Sequence, residues 1–213
     1  MVREITDVEE NEYFLGMRVQ QDLENDTIRL TQQPYWGHVL NRFNLTHVPP
    51  GPRNIPLPVD LTLDSNMSLK TDSERRQMDD KPYRPILGSI MWGQLTTRPD
   101  LSFAVFLLSR FQADPGITHW NALMHVVGYV KNTLGYGLTY SRDADLTLLA
   151  YYVDADYGGC RYTRRSTSGY VFIMEGGLVT WSSKRQAMVA LFTVEAVPLC
   201  AIDAVDASVA RGG

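Results

Sequence analysis

The spacing of the apolar residues changes near residue 140, and no other feature of this sequence constrains its fold as strongly. Before that point, apolar side chains recur at helical spacing in three segments. These predicted helices are Tyr83–Leu95, Asp100–Gln112 and Thr118–Leu134. After that point, short runs of β-branched and aromatic residues predict strands. A helical unit followed by a sheet is an α+β arrangement.

The later part of the sequence is predicted to form a sheet of three antiparallel strands followed by a helix. The strand runs are Leu146–Val153, Gly169–Met174 and Leu178–Ser183. The stretch Glu175-Gly176-Gly177 supplies the glycines of a hairpin between the last two strands. The apolar stretch Val189–Ile202 then predicts a helix that packs on the sheet. Pro198 lies inside that helix, where proline costs about 3 kcal/mol.

The first part of the sequence predicts a hairpin, a helix and a linker. Glu12–Val19 and Thr27–Leu30 are strand-like runs separated by polar residues, which indicates a hairpin. A helix is expected from Thr31 through Phe43, with Pro34 in its first turn, where proline is tolerated. Residues 47–82 are rich in proline, aspartate and serine and have no apolar periodicity, so we expect a linker there.

Composition places the chain among globular proteins, because 213 residues with 44% apolar content can bury a core. Cys160 and Cys200 lie far apart, which indicates a reducing compartment and neither a disulfide framework nor a zinc site. The N-terminus is too acidic and polar for a signal peptide, and no apolar run approaches the roughly 18 residues of a membrane span. We therefore expect an intracellular protein of the cytoplasm or nucleus, without a membrane partner.

One segment of this chain, whose formal net charge is −4, is basic. Between Gly158 and Val189, five cations stand against Glu175 alone, which gives this segment a charge of +4. The cations are Arg161, Arg164, Arg165, Lys184 and Arg185. Interleaved tyrosine and hydroxyl side chains favour contact with nucleic-acid phosphates. A solvated strand face is an equally good interpretation from the residues alone.

Two aspartates, Asp154 and Asp156, follow the first strand of the predicted sheet, just before a pair of glycines. A carboxylate at the end of a buried strand can hold Mg²⁺, a hard cation that prefers oxygen ligands. The alternative is that both are turn residues whose side-chain oxygens accept hydrogen bonds from nearby N–H groups. Spacing alone favours the turn.

Several stretches together resemble the Pol polyprotein of Ty1/copia-type LTR retrotransposons. The most specific are TTRPDLSFAV, RRSTSGY and WSSKRQ, and the resemblance extends from about Glu12 to Ile202. It implies four regions. Residues 1–46 would be the end of the reverse-transcriptase palm with a thumb remnant, and residues 47–82 a linker. Residues 83–140 would be a helical connection, and residues 141–213 a truncated ribonuclease H-like region.

The resemblance also implies the family's activities, which are RNA-directed DNA polymerisation and hydrolysis of the RNA strand of an RNA–DNA hybrid. The hydrolysis uses two metal ions, here Mg²⁺, held by several carboxylates. Alignment with the family places Asp154 at the first metal-binding aspartate. The second metal-binding position, a glutamate in the family, is Val197 here, and Glu195 stands at a neighbouring glutamate of the motif.

These departures predict that no two-metal site forms. On a helix, two residues correspond to about 200° of rotation, so Glu195 would point away from the position of Val197. No counterpart of the family's third carboxylate strand is found in this sequence. The resemblance then makes Asp154 a remnant of the catalytic site and the single candidate metal ligand. Asp156 and Glu195 are further candidates for catalytic residues.

Three functions follow from these observations. The first is a catalytically inactive Pol fragment with residual binding of RNA–DNA hybrid. The second is an active hybrid ribonuclease that uses Mg²⁺ at Asp154, Asp156 and Glu195. The third is a non-enzymatic module that binds nucleic acid or a Pol-like partner. A three-stranded sheet also leaves an unpaired edge, so self-association through that edge is expected.

Overall fold

Two antiparallel sheets and five α-helices make up the part of the protein described by a computed structural model, which covers residues 13–52, 54–142, 150–156 and 165–186. The strands are β1 (Tyr13–Phe14), β2 (Met17–Asp22), β3 (Thr27–Thr31), β4 (Gly137–Ser141), β5 (Ala150–Asp156), β6 (Thr167–Met174) and β7 (Gly177–Arg185). The helices are α1 (Gln33–Arg42), α2 (Asp72–Met78), α3 (Tyr83–Thr96), α4 (Ser102–Ser109) and α5 (Ile117–Asn132). The predicted α+β class is confirmed.

The first sheet has the strand order β1-β2-β3-β4. Its β2–β3 pair is the predicted hairpin, with Asp22 opposite Thr27. The fourth strand, β4, corrects the expectation of a purely helical region up to residue 140. It pairs with β3, so that Gly137 lies opposite Thr31. No local pattern reveals this strand, because it is five residues long and its partner is distant in sequence.

One hydrophobic core joins α1 to the three later helices. The helix α1 buries Trp36, and Gly93 of α3 has no side chain where the Trp36 ring packs. Leu108 of α4 and Leu123 of α5 are fully buried, which stabilises the fold by about 1.5–3 kcal/mol each. The four helices predicted within residues 31–134 are therefore confirmed, with small differences at their ends. None of the helices in the described ranges is long and apolar enough to cross a membrane.

The stretch of residues 47–82 is packed against this core rather than free of regular structure. It contains α2, which begins with a capping box. The Glu74 N–H donates to Thr71 Oγ1 at 3.2 Å, and the Thr71 N–H donates to Glu74 Oε2 at 2.9 Å. A helix of seven residues is too short to show apolar periodicity, which explains why the sequence did not predict it. Four apolar side chains of this stretch are buried: Val48, Leu57, Leu63 and Met78.

Backbone contacts hold the beginning of this stretch along α5. The Gly51 N–H donates to the Gly128 carbonyl at 2.8 Å, and Asn132 Nδ2 donates to the Gly51 carbonyl at 2.7 Å. A Cβ on Gly51 would lie 2.8 Å from the Tyr129 nitrogen, so the close approach requires glycine. These contacts fix residues 47–52 against the helical unit.

Arg98 is a fully buried cation between α3 and α4. It forms an ion pair with Asp100, with Nη2 2.8 Å from Oδ2 and Nε 3.0 Å from Oδ1. Its remaining N–H groups reach the end of α5, where Nη1 donates to the Thr133 carbonyl at 3.1 Å and Nη2 to Thr133 Oγ1 at 2.7 Å. Tyr129 of α5 donates its hydroxyl to Asp100 Oδ2 at 2.8 Å. Burial, followed by the Asp100 charge, raises the pKa of Tyr129 to about 12.

Aromatic rings surround the same guanidinium. The rings of Trp36, Tyr129 and Tyr136 have their centroids 6.0, 5.5 and 5.5 Å from Arg98 Cζ. The neighbouring Thr97 hydroxyl donates to Oε1 of the buried Gln32 at 2.8 Å, which ties the loop after α3 to the start of α1. Arg98 and its surroundings therefore connect α1, α3 and α5.

His119 performs a similar role for residues 47–82. It is fully buried near the start of α5 and stacks on Phe111 with ring centroids 4.1 Å apart. Nδ1 accepts the Gly116 N–H at 2.9 Å, so the proton of the neutral ring is on Nε2, which lies 3.2 Å from the Asp64 carbonyl. Burial lowers the pKa of His119 below its ordinary value of 6.5, and this outweighs the opposite effect of the Asp64 carbonyl.

The second sheet has the strand order β5-β6-β7 and is antiparallel. The predicted hairpin between its last two strands turns at Glu175 and Gly176, which both have positive φ. Trp181 Nε1 donates to the Gln94 carbonyl of α3 at 3.0 Å, and the Tyr140 hydroxyl of β4 donates to the Leu178 carbonyl at 2.7 Å. This sheet therefore packs on both the helical unit and the first sheet. The helix predicted at residues 189–202 lies outside the described residues.

Replacement of Arg98 tests whether its buried ion pair holds the helical unit together. We expect Arg98→Ala to lower the free energy of unfolding by about 3 kcal/mol, because it leaves the partly buried Asp100 without its cation. Thr133→Val should cost about 1–3 kcal/mol, because it removes one acceptor of a buried guanidinium. Arg42→Ala is the control, because Arg42 is exposed. Urea unfolding measures all three, and equal values for Arg98→Ala and Arg42→Ala would contradict this role.

The pKa of His119 predicts a loss of stability in acid. Because folding lowers this pKa, the unfolded state binds the proton first as the pH falls below about 6.5, and the free energy of unfolding then decreases. The limit for one proton is about 1.4 kcal/mol per pH unit. His119→Gln should remove this component of the pH dependence, whereas His38→Gln, at an exposed position, should not. Identical pH profiles of the wild type and His119→Gln would contradict the assignment.

Candidate functional site

The two aspartates predicted as a candidate site lie within a strand rather than after it. The strand β5 continues to Asp156, with Asp154 opposite Gly169 and Asp156 opposite Thr167 on β6. The expectation that Asp154 stands where the backbone turns is therefore corrected. Pairing with β6 extends the strand beyond its apolar run, and this pairing cannot be deduced from β5 by itself.

Both aspartates are on the same face of the sheet, because side chains alternate along a strand. Their Cα atoms are about 7 Å apart at the usual rise per residue. Both residues are exposed, and Asp154 Oδ1 accepts the Ala155 N–H at 2.8 Å. We call this side of the second sheet the carboxylate face. By register, it also carries the residues Tyr152, Thr167, Gly169, Val171, Trp181, Ser183 and Arg185.

The described residues do not fit a two-metal site. Within the described ranges, no group of three His, Cys, Asp or Glu side chains is arranged to hold a metal ion. Asp154 and Asp156 would leave a magnesium ion coordinated mainly by water. Glu195, the third candidate, lies outside the described residues.

The register of the sheet separates the cations of the basic segment. Arg185 lies opposite Thr167, on the carboxylate face, and Lys184 lies opposite Ser168, on the other face. The Gln186 N–H donates to the Ser166 carbonyl at 2.9 Å, so the pairing continues past β6 and places Arg165 on the carboxylate face. Arg161 and Arg164 lie outside the described residues. The sequence did not predict this separation, because the predicted strand ended at Ser183 and pairing with β6 extends it to Arg185.

A cleft of about 220 Å³ lies between the carboxylate face and the start of α4. The sheet contributes Tyr152, Asp154 and Trp181, and the helical unit contributes Pro99 and Ser102. Neither Tyr152 nor Trp181 was among the candidate residues predicted from the sequence. The period-2 alternation that places Tyr152 beside Asp154 is the one signal in the sequence that could have linked them.

The polar groups of the helical wall have partners within the protein. Ser102 donates to the Pro99 carbonyl at 2.6 Å and accepts from Gln94 Nε2 at 2.9 Å. Trp181 Nε1 donates to the Gln94 carbonyl. Asp154 differs, because its one hydrogen bond among the described contacts uses Oδ1 alone. Its other carboxylate oxygen can accept a donor from a ligand.

A second cavity of about 580 Å³ lies where the two sheets meet the loop after α3. Arg29, Asp100, Tyr136 and Leu178 line it. In this cavity Asp100 forms an ion pair with Arg98, and Arg29 Nη2 donates to the Gly135 carbonyl at 2.8 Å.

Comparison with known proteins identifies relatives over most of the chain. The retrovirus-related Pol polyprotein from transposon TNT 1-94 of Nicotiana tabacum is 35% identical over 190 residues, which cover 89% of this chain and 14% of the polyprotein. An uncharacterized mitochondrial protein of Arabidopsis thaliana is 31% identical over 86% of this chain and 71% of its own length. The secreted RxLR effector protein 161 of Plasmopara viticola is 47% identical over 55% of this chain and 82% of its own length.

The chain matches only a short part of the long polyproteins. The chain spans 14% of the tobacco polyprotein and 12% of the retrovirus-related Pol polyprotein from transposon RE2 of Arabidopsis thaliana, to which it is 35% identical. No protein-family model matches the sequence. No solved structure matches the protein.

Proposed function

Because the chain belongs to the family of copia-type retrotransposon Pol polyproteins, we propose that it is a Pol-derived protein that binds RNA–DNA hybrid without hydrolysing it. One observation carries the proposal. Asp154 and Asp156 share a face, but no third ligand joins them among the described residues. We assign β5, β6 and β7 to the start of a ribonuclease H-like sheet, on the basis of the sequence resemblance and the position of Asp154 on its first strand.

The absence of hydrolysis follows from what two-metal chemistry requires. Two divalent cations about 4 Å apart need several carboxylates that converge on them. Asp154 and Asp156 are spaced by two residues along a strand, and the sequence resemblance places Val197 at the position of the family's second ligand. Valine has no oxygen to offer a cation. Glu195 would point away from that position in an intact helix.

Binding of the hybrid is supported by the cations on the carboxylate face. Arg165 and Arg185 flank Thr167, whose hydroxyl can donate to a phosphate. Asp156 lies across β6 from Arg185 and reduces the local positive potential. We therefore expect weak, sequence-independent binding that decreases with salt. The strand β5 is an edge strand among the described residues. Self-association through such an unpaired edge stays a prediction.

A cleavage assay tests the absence of hydrolysis. We expect purified protein, incubated with an end-labelled RNA–DNA hybrid and Mg²⁺ or Mn²⁺, to leave the RNA strand intact. An active hybrid ribonuclease that serves as positive control must cleave the same substrate. Cleavage by the wild type that is lost in Asp154→Asn would overturn the proposal and favour the active ribonuclease, and the same loss in Asp156→Asn and Glu195→Gln would assign these residues to its site.

A binding assay tests the assignment of the cations. We expect Arg185→Ala to weaken binding of the hybrid and to reduce the slope of log K against log salt by about 0.9, the value for one phosphate contact. The double variant Arg165→Ala/Arg185→Ala should lower the slope by about 1.8. Lys184→Ala is the matched control, since Lys184 is the adjacent residue on the other face. Fluorescence anisotropy over a salt series measures these slopes, and equal effects of Arg185→Ala and Lys184→Ala would contradict the assignment.

A further inference from the structure

The cleft beside Asp154 is lined by aromatic and apolar residues of the sheet, and we call it the slot. Tyr152, Val171 and Trp181 are opposite one another on three adjacent strands of the carboxylate face. Strands about 4.8 Å apart therefore separate Tyr152 from Trp181 by about 10 Å at the backbone. Val171 lies between them and gives the slot an apolar floor. Pro99 closes the side formed by the helical unit.

The size of the cleft limits what it can hold. Its volume of about 220 Å³ is below the roughly 300 Å³ at which pockets begin to accept drug-sized ligands. The aromatic group on the sheet side is also accessible, because Tyr152 is 60% exposed. An accessible aromatic face beside an apolar slot suits the stacking of one ring system.

The chemistry of Asp154 selects the kind of ring. A carboxylate is acceptor-only, so the ligand must present an N–H or O–H donor. A phosphate is excluded at this point because it repels the carboxylate. A nucleobase with an exocyclic amino group fits, since Asp and Glu accept hydrogen bonds from cytosine N4.

Gly169 lines the slot, and the described residues leave room for a side chain at this position. A Cβ built there would lie 3.9 Å from the Ser182 carbonyl oxygen and 4.0 Å from that of Asp154, which are ordinary contacts. Among the described residues, the packing of the sheet therefore does not require a glycine here. This position also allows a substitution that fills the slot without disturbing the strands.

We propose that the cleft binds one unpaired nucleobase, stacked beside Tyr152 and hydrogen-bonded through its amino group to Asp154. The base belongs to a single-stranded overhang of a hybrid held by Arg165 and Arg185, so the proposal rests on the proposed function for the origin of its ligand. Cytosine is preferred to uracil, because uracil presents a carbonyl oxygen where cytosine has its amino group.

The test compares three labelled substrates by fluorescence anisotropy: a blunt RNA–DNA hybrid, the same hybrid with a cytosine overhang, and the same hybrid with a uracil overhang. The cytosine overhang should bind about tenfold more tightly than the blunt hybrid, a gain typical of one stacked base. Tyr152→Ala and Gly169→Val should both remove this gain. Tyr151→Ala should keep it, because Tyr151 is 61% exposed on the other face of the same strand. Asp154→Asn should bring the ratio between cytosine and uracil close to one.

The outcomes separate this inference from the proposed function. If the blunt hybrid binds and the cytosine overhang adds nothing, the nucleobase site is wrong and hybrid binding stands. If no hybrid binds even at low salt, hybrid binding is wrong. In that case, a titration with free cytidine tests the nucleobase site independently of hybrid binding. A shift of the Trp181 indole N–H resonance in the wild type that is absent in Gly169→Val supports the nucleobase site, and no shift overturns it.

Discussion

The buried charge of Arg98 is the interaction on which the other elements depend. A guanidinium without solvent must have each of its donors satisfied, and the partners come from the loop after α3 and the end of α5. Aromatic rings from α1, α5 and the loop before β4 surround it. Loss of one partner would leave a buried charge, so these elements are held in one arrangement.

This arrangement also builds the candidate site. The loop that carries Arg98 continues directly into Pro99 and Ser102, which form one wall of the cleft. Gln94, one turn earlier, binds Trp181 of the opposite wall through its carbonyl. The second sheet is thus positioned against a loop whose conformation the buried ion pair determines. The geometry around Asp154 therefore depends on the helical unit as well as on the second sheet.

The charges on the carboxylate face favour binding of a nucleic acid without hydrolysis. Its two aspartates are too few to organise a pair of divalent cations. Its arginines lie towards the end of the sheet where β5 ends, beside Asp156, and can engage phosphates there. A sheet face that carries an acceptor together with aromatic and cationic residues suits recognition of a ligand better than metal chemistry.

The sequence by itself determined the long helices and the α+β class, because extended apolar periodicity is encoded locally in the residues of each element. It also indicated Asp154 and the basic segment as residues of interest. Only the tertiary structure decided that β4 completes the first sheet, that residues 47–82 pack on α5, and that Arg185 shares a face with Asp154 and Asp156. These outcomes depend on pairing between residues distant in the chain, and such pairing leaves no periodic signal in either partner.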